Sequence, residues 1–285
     1  MNCSDSNQFF PDVTCSLEEA QMVLVPVPYD GTSTWGKGAD KGPNAIIEAS
    51  EHLEAYDIET RYEVCDHGFY TDEPVLENRS PEAMTQAVYA RVKHWLSLNK
   101  FCMVLGGEHS VSIGAVQAHA EKVSDLTVLQ LDAHSDLKEE YHGSKYNHAC
   151  VMARVREWCS SVQVGIRSMD VEELFRVKPD RMFFAEDIFG QSAWVERAIG
   201  KMSSNVYVTI DLDVFDSSIM PSTGTPEPGG LFWYEMMYFL HRVCKERRVV
   251  GFDVVELCPN EVNKAPDFLA AKLIYKFASY IFSAY

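Results

Sequence analysis

The sequence predicts a three-layer α/β/α domain built on a mostly parallel sheet. Three observations lead there. Short apolar runs recur along the 285 residues, with helical stretches between them. Several runs are nearly continuous in Val, Ile, Leu and Phe and lack the polar alternation of a half-solvated strand. Pro- and Gly-rich segments fall where one element should hand over to the next. Strand–helix alternation implies right-handed crossovers, which put helices on both faces of the sheet.

The elements follow in chain order. Met22 to Val27 opens the sheet and runs into the loop Pro28-Tyr29-Asp30-Gly31-Thr32-Ser33. Pro43 to Tyr56 reads as a helix, with proline in the first turn after Gly42. Tyr62 to Asp66 is the second expected strand. Ser80 caps a helix that starts at Pro81 and runs to about Leu98. Phe101 to Leu105 and Leu126 to Leu131 are strands separated by a helix from Ser110 to Glu121. A helix from Asn147 to Trp158, a strand from Ser161 to Ile166 and a helix from Val171 to Val177 come next. The strand Arg181 to Phe184, the helix Ser192 to Ile199 and the strand Asn205 to Ile210 continue the alternation. A long Pro/Gly loop over 221–230 precedes the helix Leu231 to Lys245, the strand Arg248 to Val255 and the helix Pro266 to Ser279.

Composition narrows the class. With 46% hydrophobic residues the chain can bury one large core, and no composition break or repeat argues for two domains. No apolar run approaches the 18 residues of a membrane span. The opening Met1-Asn2-Cys3-Ser4-Asp5 has no basic region followed by an apolar stretch, so a secretory signal is not expected there. Residues 1–20 are expected to be an N-terminal tail. Net charge is −17, from 42 acidic and 25 basic residues, the opposite of a nucleic-acid binder. Such a chain attracts cations, although much of that charge serves solubility. The eight cysteines form no CxxC pair, so no zinc ribbon is expected. Reduced, mostly buried thiols and a cytoplasmic location are the expectation.

Chemistry enters where three of the expected strands end. Asp132-Ala133-His134-Ser135-Asp136 follows the run 126–131, and Asp211-Leu212-Asp213 follows the run 206–210. Gly106-Gly107-Glu108-His109-Ser110 follows the run 101–105. In extended backbone, residues i, i+2 and i+4 point to one side. Asp132, His134 and Asp136 can thus grip one small region, and Asp211 and Asp213 can do so from another strand end. Buried together without counter-charge, these carboxylates would raise one another's pKa values. Divalent cations solve that problem. His109, Asp132, His134, Asp136, Asp211 and Asp213 supply four carboxylates and two imidazoles. That set suits a pair of hard, six-coordinate ions such as Mn²⁺, whereas structural zinc prefers thiolate and imidazole. A lone Asp-x-Asp is usually a turn, and a lone histidine usually sits in the core. Joint occurrence after three expected strands points instead to a two-metal hydrolase, at the sheet end where open α/β folds bind ligands.

These three clusters, the last extended as Asp211-Leu212-Asp213-Val214-Phe215-Asp216, resemble in order and spacing the signatures of the arginase/agmatinase ureohydrolase family. The resemblance runs from Val25-Pro26 to about Glu256. Gly31-Thr32-Ser33, Gly38-Ala39-Asp40-Lys41-Gly42-Pro43, Tyr146-Asn147-His148-Ala149, Gly165-Ile166-Arg167-Ser168 and Thr223-Gly224-Thr225-Pro226-Glu227-Pro228-Gly229-Gly230 are agmatinase-like in particular. The resemblance implies an eight-stranded parallel sheet, a single catalytic domain over 21–285, and a homo-oligomer, trimer or hexamer. It implies two Mn²⁺ per chain: one on His109, Asp132, Asp136 and Asp211, the other on Asp132, His134, Asp211 and Asp213. Such ions lower the pKa of a water between them to about 7 and so supply a nucleophile for the guanidinium carbon. By the same likeness Glu256 holds the substrate guanidinium, a planar group whose paired N–H bonds a carboxylate can accept. His148 resembles the family's proton-shuttling histidine, and the pKa range of imidazole suits that task.

The substrate expected is a small cationic guanidine, with agmatine first, giving putrescine and urea. The arginase pattern of carboxylate-reading Asn and Ser does not map onto the loop Leu137 to Asn147. Glu139 and Glu140 there would repel a carboxylate and attract a distal amine, or else are simply solvated. Asp216-Ser217-Ser218-Ile219-Met220-Pro221-Ser222 departs from the commoner agmatinase form, which has Pro after the Asp and Gly before Thr-Gly-Thr. Aminopropylagmatine, guanidinobutyrate or arginine is therefore the alternative substrate. A non-catalytic metal-binding protein and a zinc deacetylase are the alternatives in kind. Neither nucleic acid nor membrane is an expected partner.

Overall fold

β1 (Met22–Val27) is buried along its whole length because its side chains alternate between two apolar layers. Met22 and Leu24 join the core on one face of the sheet, and Val23, Val25 and Val27 join the core on the other. The structure is a computed structural model that describes residues 8–10 and 15–283. Seven more strands complete the sheet: β2 (Phe69–Thr71), β3 (Phe101–Gly106), β4 (Leu126–Leu131), β5 (Ser160–Ile166), β6 (Met182–Phe184), β7 (Asn205–Asp211) and β8 (Arg248–Val255). Their order is β2-β1-β3-β8-β7-β4-β5-β6, and every pairing is parallel.

Helices cover both faces, as a parallel sheet requires. α1 (Gly42–Ser50), α5 (Ala185–Ile188), α6 (Ala193–Ile199), α7 (Trp233–Glu246) and α8 (Ala265–Ser283) pack into one core. α2 (Pro81–Ser97), α3 (Val111–Lys122) and α4 (Val151–Val155) pack into the other. This is the α/β/α sandwich on an eight-stranded sheet. α2 begins as expected: Ser80 Oγ accepts the Ala83 N–H at 3.1 Å, and Pro81 takes the first position. No helix among the described residues is long and apolar enough to cross a membrane.

The structure departs from expectation at the second strand. Tyr62–Asp66 is not a strand; Val64–His67 form a 3₁₀ turn, and β2 begins after one intervening residue, Gly68. Val64 and Cys65 are consecutive and both buried, which suits a turn pressed into the core. Gly68, at φ +71°, then redirects the chain into β2. α1 ends at Ser50, short of Tyr56, where the Ser50 hydroxyl donates to Ile47 O at 2.6 Å and accepts the Phe10 N–H at 2.9 Å. The stretch 147–158 holds only a 3₁₀ turn, His148–Cys150, and the short α4. Within the expected tail, Phe9 and Phe10 are buried against the core, while residues 1–7 and 11–14 lie outside the described residues.

Four neighbouring strands, β3, β8, β7 and β4, bring their carboxyl ends side by side at the centre of the sheet. Gly107 is the join. Its N–H donates to Val27 O and its carbonyl accepts the Glu256 N–H, both at 2.8 Å. A Cβ at this position would lie 1.9 Å from Tyr29 O, a backbone atom that cannot step aside. We expect Gly107→Ala to cost about 1–3 kcal/mol, the range for overpacking, measured by urea unfolding. Wild-type stability would show that the close approach is dispensable.

Candidate metal centre

At the ends of β4 and β7 the chain leaves extended backbone, through a 3₁₀ turn over Leu212–Val214 and a φ of +51° at Asp136, and the acidic side chains enter one space. Asp132 and Asp211 are buried, as are Asp136, Asp213 and His109, while His134 keeps 27% of its side chain exposed. His109 Nδ1 lies 3.1 Å from Asp132 Oδ2, 3.0 Å from Asp136 Oδ2 and 3.4 Å from Asp211 Oδ2. His134 Nδ1 lies 2.8 Å from Asp213 Oδ2 and 3.7 Å from Asp132 Oδ1. The structure thus brings all six expected ligands into two adjoining groups, with Asp132 presenting one oxygen to each. His109, Asp132 and Asp211 form one tight triad of ligand atoms, and Asp132, His134 and Asp213 form another.

The tautomer of His109 tests whether a cation fits. Thr209 Oγ1 gives its only hydrogen to the acceptor Asp253 Oδ1, at 2.6 Å. It must then accept from His109 Nε2, 2.9 Å away. Nε2 carries a ring hydrogen, so Nδ1 is the nitrogen turned toward three carboxylate oxygens. Although burial opposes charge, Asp132, Asp136 and Asp211 hold the imidazole well above its usual range, so Nδ1 takes a proton when no cation is there. Nδ1 is buried and makes no hydrogen bond, because none of those oxygens is aligned for one. Lone pairs of one imidazole and three carboxylates converging on a buried point repel unless a cation or a proton lies among them. The oxygen-rich donor set fits a hard divalent ion.

Electrostatics carry the same message. Among the described residues, the ion-pair partners of Asp132, Asp136, Asp211 and Asp213 are His109 and His134 alone. Without a cation, only protons can balance the cluster. Burial and the Asp132 charge push Asp136 up to about 7. Burial, then Asp213 and Asp132, push Asp211 well above the carboxylate range. Burial opposes charge on His134, yet Asp213 and Asp132 raise it to about 12.

Backbone and amide donors hold the carboxylates in place. Gln130 Nε2 donates to Asp132 Oδ2 and the His134 N–H to Asp132 Oδ1, both at 2.6 Å. The Ala133 N–H donates to Asp213 Oδ1 and the Asp213 N–H to Asp211 Oδ1, both at 2.9 Å. Thr209 and Gln130 stand two residues before a ligand on the same strand face, a signal the sequence reading passed over. Arg167 Nη2 donates to the carbonyls of Asp213 at 2.6 Å and Glu227 at 2.8 Å, so it clamps the 223–230 loop to the end of β7. Asp216 accepts the Gly229 N–H at 2.8 Å and fastens the same loop.

Above the cluster lies a cavity of about 220 Å³. Glu256 and His148 both line it. Glu256 sits at φ +69°, a strained turn at the end of β8, and its Oε1 accepts the His109 N–H at 2.8 Å. Burial and nearby Glu108 push its carboxyl well above the usual range, so a cationic guest would be welcome there. Trp35, Tyr141, Asp170 and Thr225 line the cavity as well. They come from four separate loops, and the sequence held no periodic signal for them. Glu139 does not line it; Arg154 Nη2 donates to both its oxygens, at 2.9 and 3.0 Å. Glu140 is not at the cavity either.

Comparison with known proteins agrees with this geometry. The family model described as "Arginase family" matches residues 20–279. An N(1)-aminopropylagmatine ureohydrolase of Synechocystis sp. is 39% identical, over 93% of this chain and 90% of its own. An agmatinase of Pyrococcus horikoshii is 32% identical, over 92% of each. The crystal structure of agmatine ureohydrolase of Thermoplasma volcanium superposes with a TM-score of 0.88 at 31% identity, covering 97% of this chain and 94% of that one.

Two outcomes follow for metal binding. Asp211→Ala is expected to strip metal from the purified protein, read by elemental analysis; undiminished metal would place the ion elsewhere. Asp136, at about 7, must lose its proton before it can ligate. Affinity should therefore climb as pH rises from 6 through 7, with protons released on binding. Calorimetry in buffers of different ionisation heat measures both, and a pH-independent affinity would contradict the cluster described.

Proposed function

The chain belongs to the arginase family, and on that premise we propose that it hydrolyses the guanidino group of an agmatine-type amine, releasing urea. The observation that carries the proposal is the pair of imidazole–carboxylate triads sharing Asp132 at the floor of a cavity that also holds Glu256. In this reading His109, Asp132, Asp136 and Asp211 hold one Mn²⁺, and Asp132, His134, Asp211 and Asp213 hold the other. When bound, the ions supply a water acidified to a pKa of about 7 as the nucleophile.

The chain's own residues do the rest. Glu256 has one oxygen committed to the His109 N–H and the other free for the guanidinium. That ion pair forms in a buried place, which orients the carbon over the metal floor. Departure of the amine requires a proton. Burial, with His109 and His134 nearby, pushes His148 down to about 4, so its imidazole is neutral at pH 7. A neutral imidazole can take the proton released by the nucleophile and pass it to the leaving nitrogen.

Agmatine, giving putrescine, is one substrate reading. N(1)-Aminopropylagmatine is the other and the one we favour, because the Synechocystis relative of higher identity bears that name. The rim supports a longer cationic tail: Trp35 is 76% exposed at the cavity mouth, with Tyr141 also on the lining. Aromatic faces attract ammonium groups. A homo-oligomer, trimer or hexamer, and a single catalytic domain over 21–285 belong to the same proposal.

Urea release from agmatine, N(1)-aminopropylagmatine, guanidinobutyrate and arginine by Mn²⁺-loaded protein tests it. Preference for arginine would overturn the substrate class, and no release from any would overturn the reaction. His148→Ala should slow turnover by about 10²–10⁴-fold, the range for lost proton transfer, with metal content intact. Trp35→Ala should raise KM for N(1)-aminopropylagmatine about two- to fivefold, equivalent to an exposed cation–π contact. An unchanged KM would remove Trp35 from recognition.

A further inference from the structure

Gly31-Thr32-Ser33, in the loop after β1, has no part in the chemistry described so far, yet Thr32 touches His148. Glu108 is fully buried, and its carboxylate collects four donors. Oε1 accepts the Thr32 N–H at 3.2 Å, the Thr32 hydroxyl at 2.8 Å and the Ser110 hydroxyl at 2.8 Å. Oε2 accepts the Ser110 N–H at 2.7 Å. Burial pushes this carboxyl up and the four donors pull it back down. With a backbone N–H aimed at each oxygen it is placed to accept, and the single hydroxyl hydrogen of Thr32 points at Glu108.

Thr32 Oγ1 is left with two lone pairs, and His148 takes both. The His148 N–H donates to it at 3.1 Å, and the ring Nδ1 lies 3.1 Å away. With no hydrogen left on Thr32 for this contact, the hydrogen must sit on Nδ1. Nε2 then carries the lone pair. Nε2 makes no hydrogen bond to any described residue, and the ring lines the cavity. The loop itself is tied down, for the Gly36 N–H donates to Gly224 O at 3.2 Å.

We propose that Thr32, backed by Glu108, is a positioning residue that locks His148 in the Nδ1–H tautomer, so that Nε2 is the nitrogen that takes and returns the proton. This rests on the reading of His148 as the proton carrier. It also gives Glu108-His109 two tasks on adjacent residues: one side chain faces the ions, and the other steadies the shuttle.

The test uses full-length, metal-loaded protein. Thr32→Val, which keeps the shape and deletes the hydroxyl, should lower kcat by about 10- to 100-fold, the usual effect of a lost supporting contact. Metal content and KM should stay near wild type, and Thr32→Ser should restore kcat. Nitrogen-15 spectra of histidine-labelled protein loaded with diamagnetic Zn²⁺ read the tautomer directly. The His148 ring should show a protonated Nδ1 in wild type and Thr32→Ser, and lose that preference in Thr32→Val. An unchanged tautomer in Thr32→Val, or an Nε2–H form in wild type, would overturn the proposal. Full activity of His148→Ala would instead overturn the shuttle reading, whatever the spectra show.

Discussion

Four aspartates buried within reach of one another are the constraint on which the rest of this molecule depends. Burial leaves little water beside them to spread their charge, and no lysine or arginine among the described residues pairs with them. Their repulsion has to be met by ions or by protons, and the protein is built so that the cheaper answer is ions. Thr209 and Asp253 set the His109 ring so that its free nitrogen joins the oxygens. Gln130 and the backbone amides around 133–134 hold the carboxylates still. Preorganisation of this kind moves the cost of assembling like charges into folding, where the large two-faced core of the parallel sheet can offset it.

Sheet topology explains why the cluster lies where it does. β3, β8, β7 and β4 are distant in sequence and adjacent in space. At the end of each, or within three residues past it, stands a residue that contributes to the floor or wall of the cavity: His109, Glu256, Asp211 and Asp132. Strands are stiff and their register is fixed by ladders, so side chains at their ends are placed more accurately than side chains on loops. The strained backbone at Asp136, φ +51°, and at Glu256 marks the points where the chain leaves regular structure to aim a carboxylate.

Legibility from the sequence followed the same division. Seven of the eight strands stand close to the apolar runs that announced them, because burial on both faces leaves little room for polar residues. The run 62–66 misled, because a buried Val64-Cys65 pair looks the same in a turn as in a strand. Helix ends at Ser50 and around 147–158 were overestimated, since what stops them is a tertiary contact, such as Phe10 on Ser50, that no local pattern records. At the site, five of the six expected ligand side chains stood out through a spacing of two after apolar runs, and His109 through the cluster Gly106-Gly107-Glu108-His109 after a third. Trp35, Tyr141 and Asp170 were not, because loops carry no period. Glu139 looked available in sequence and is occupied by Arg154 in space.

The rim has a consequence of its own. Its residues belong to loops held by a few clamps, notably Arg167 on the carbonyls of Asp213 and Glu227, and Asp216 on Gly229. These clamps act on backbone carbonyls and an amide, and not on the carboxylates of the cluster below. Mutation can therefore lengthen, shorten or recharge the entrance without disturbing the engine underneath. Selection acting on such a layout can retune which molecule is admitted while leaving bond cleavage alone, and a lineage can diversify its diet by editing only the doorway.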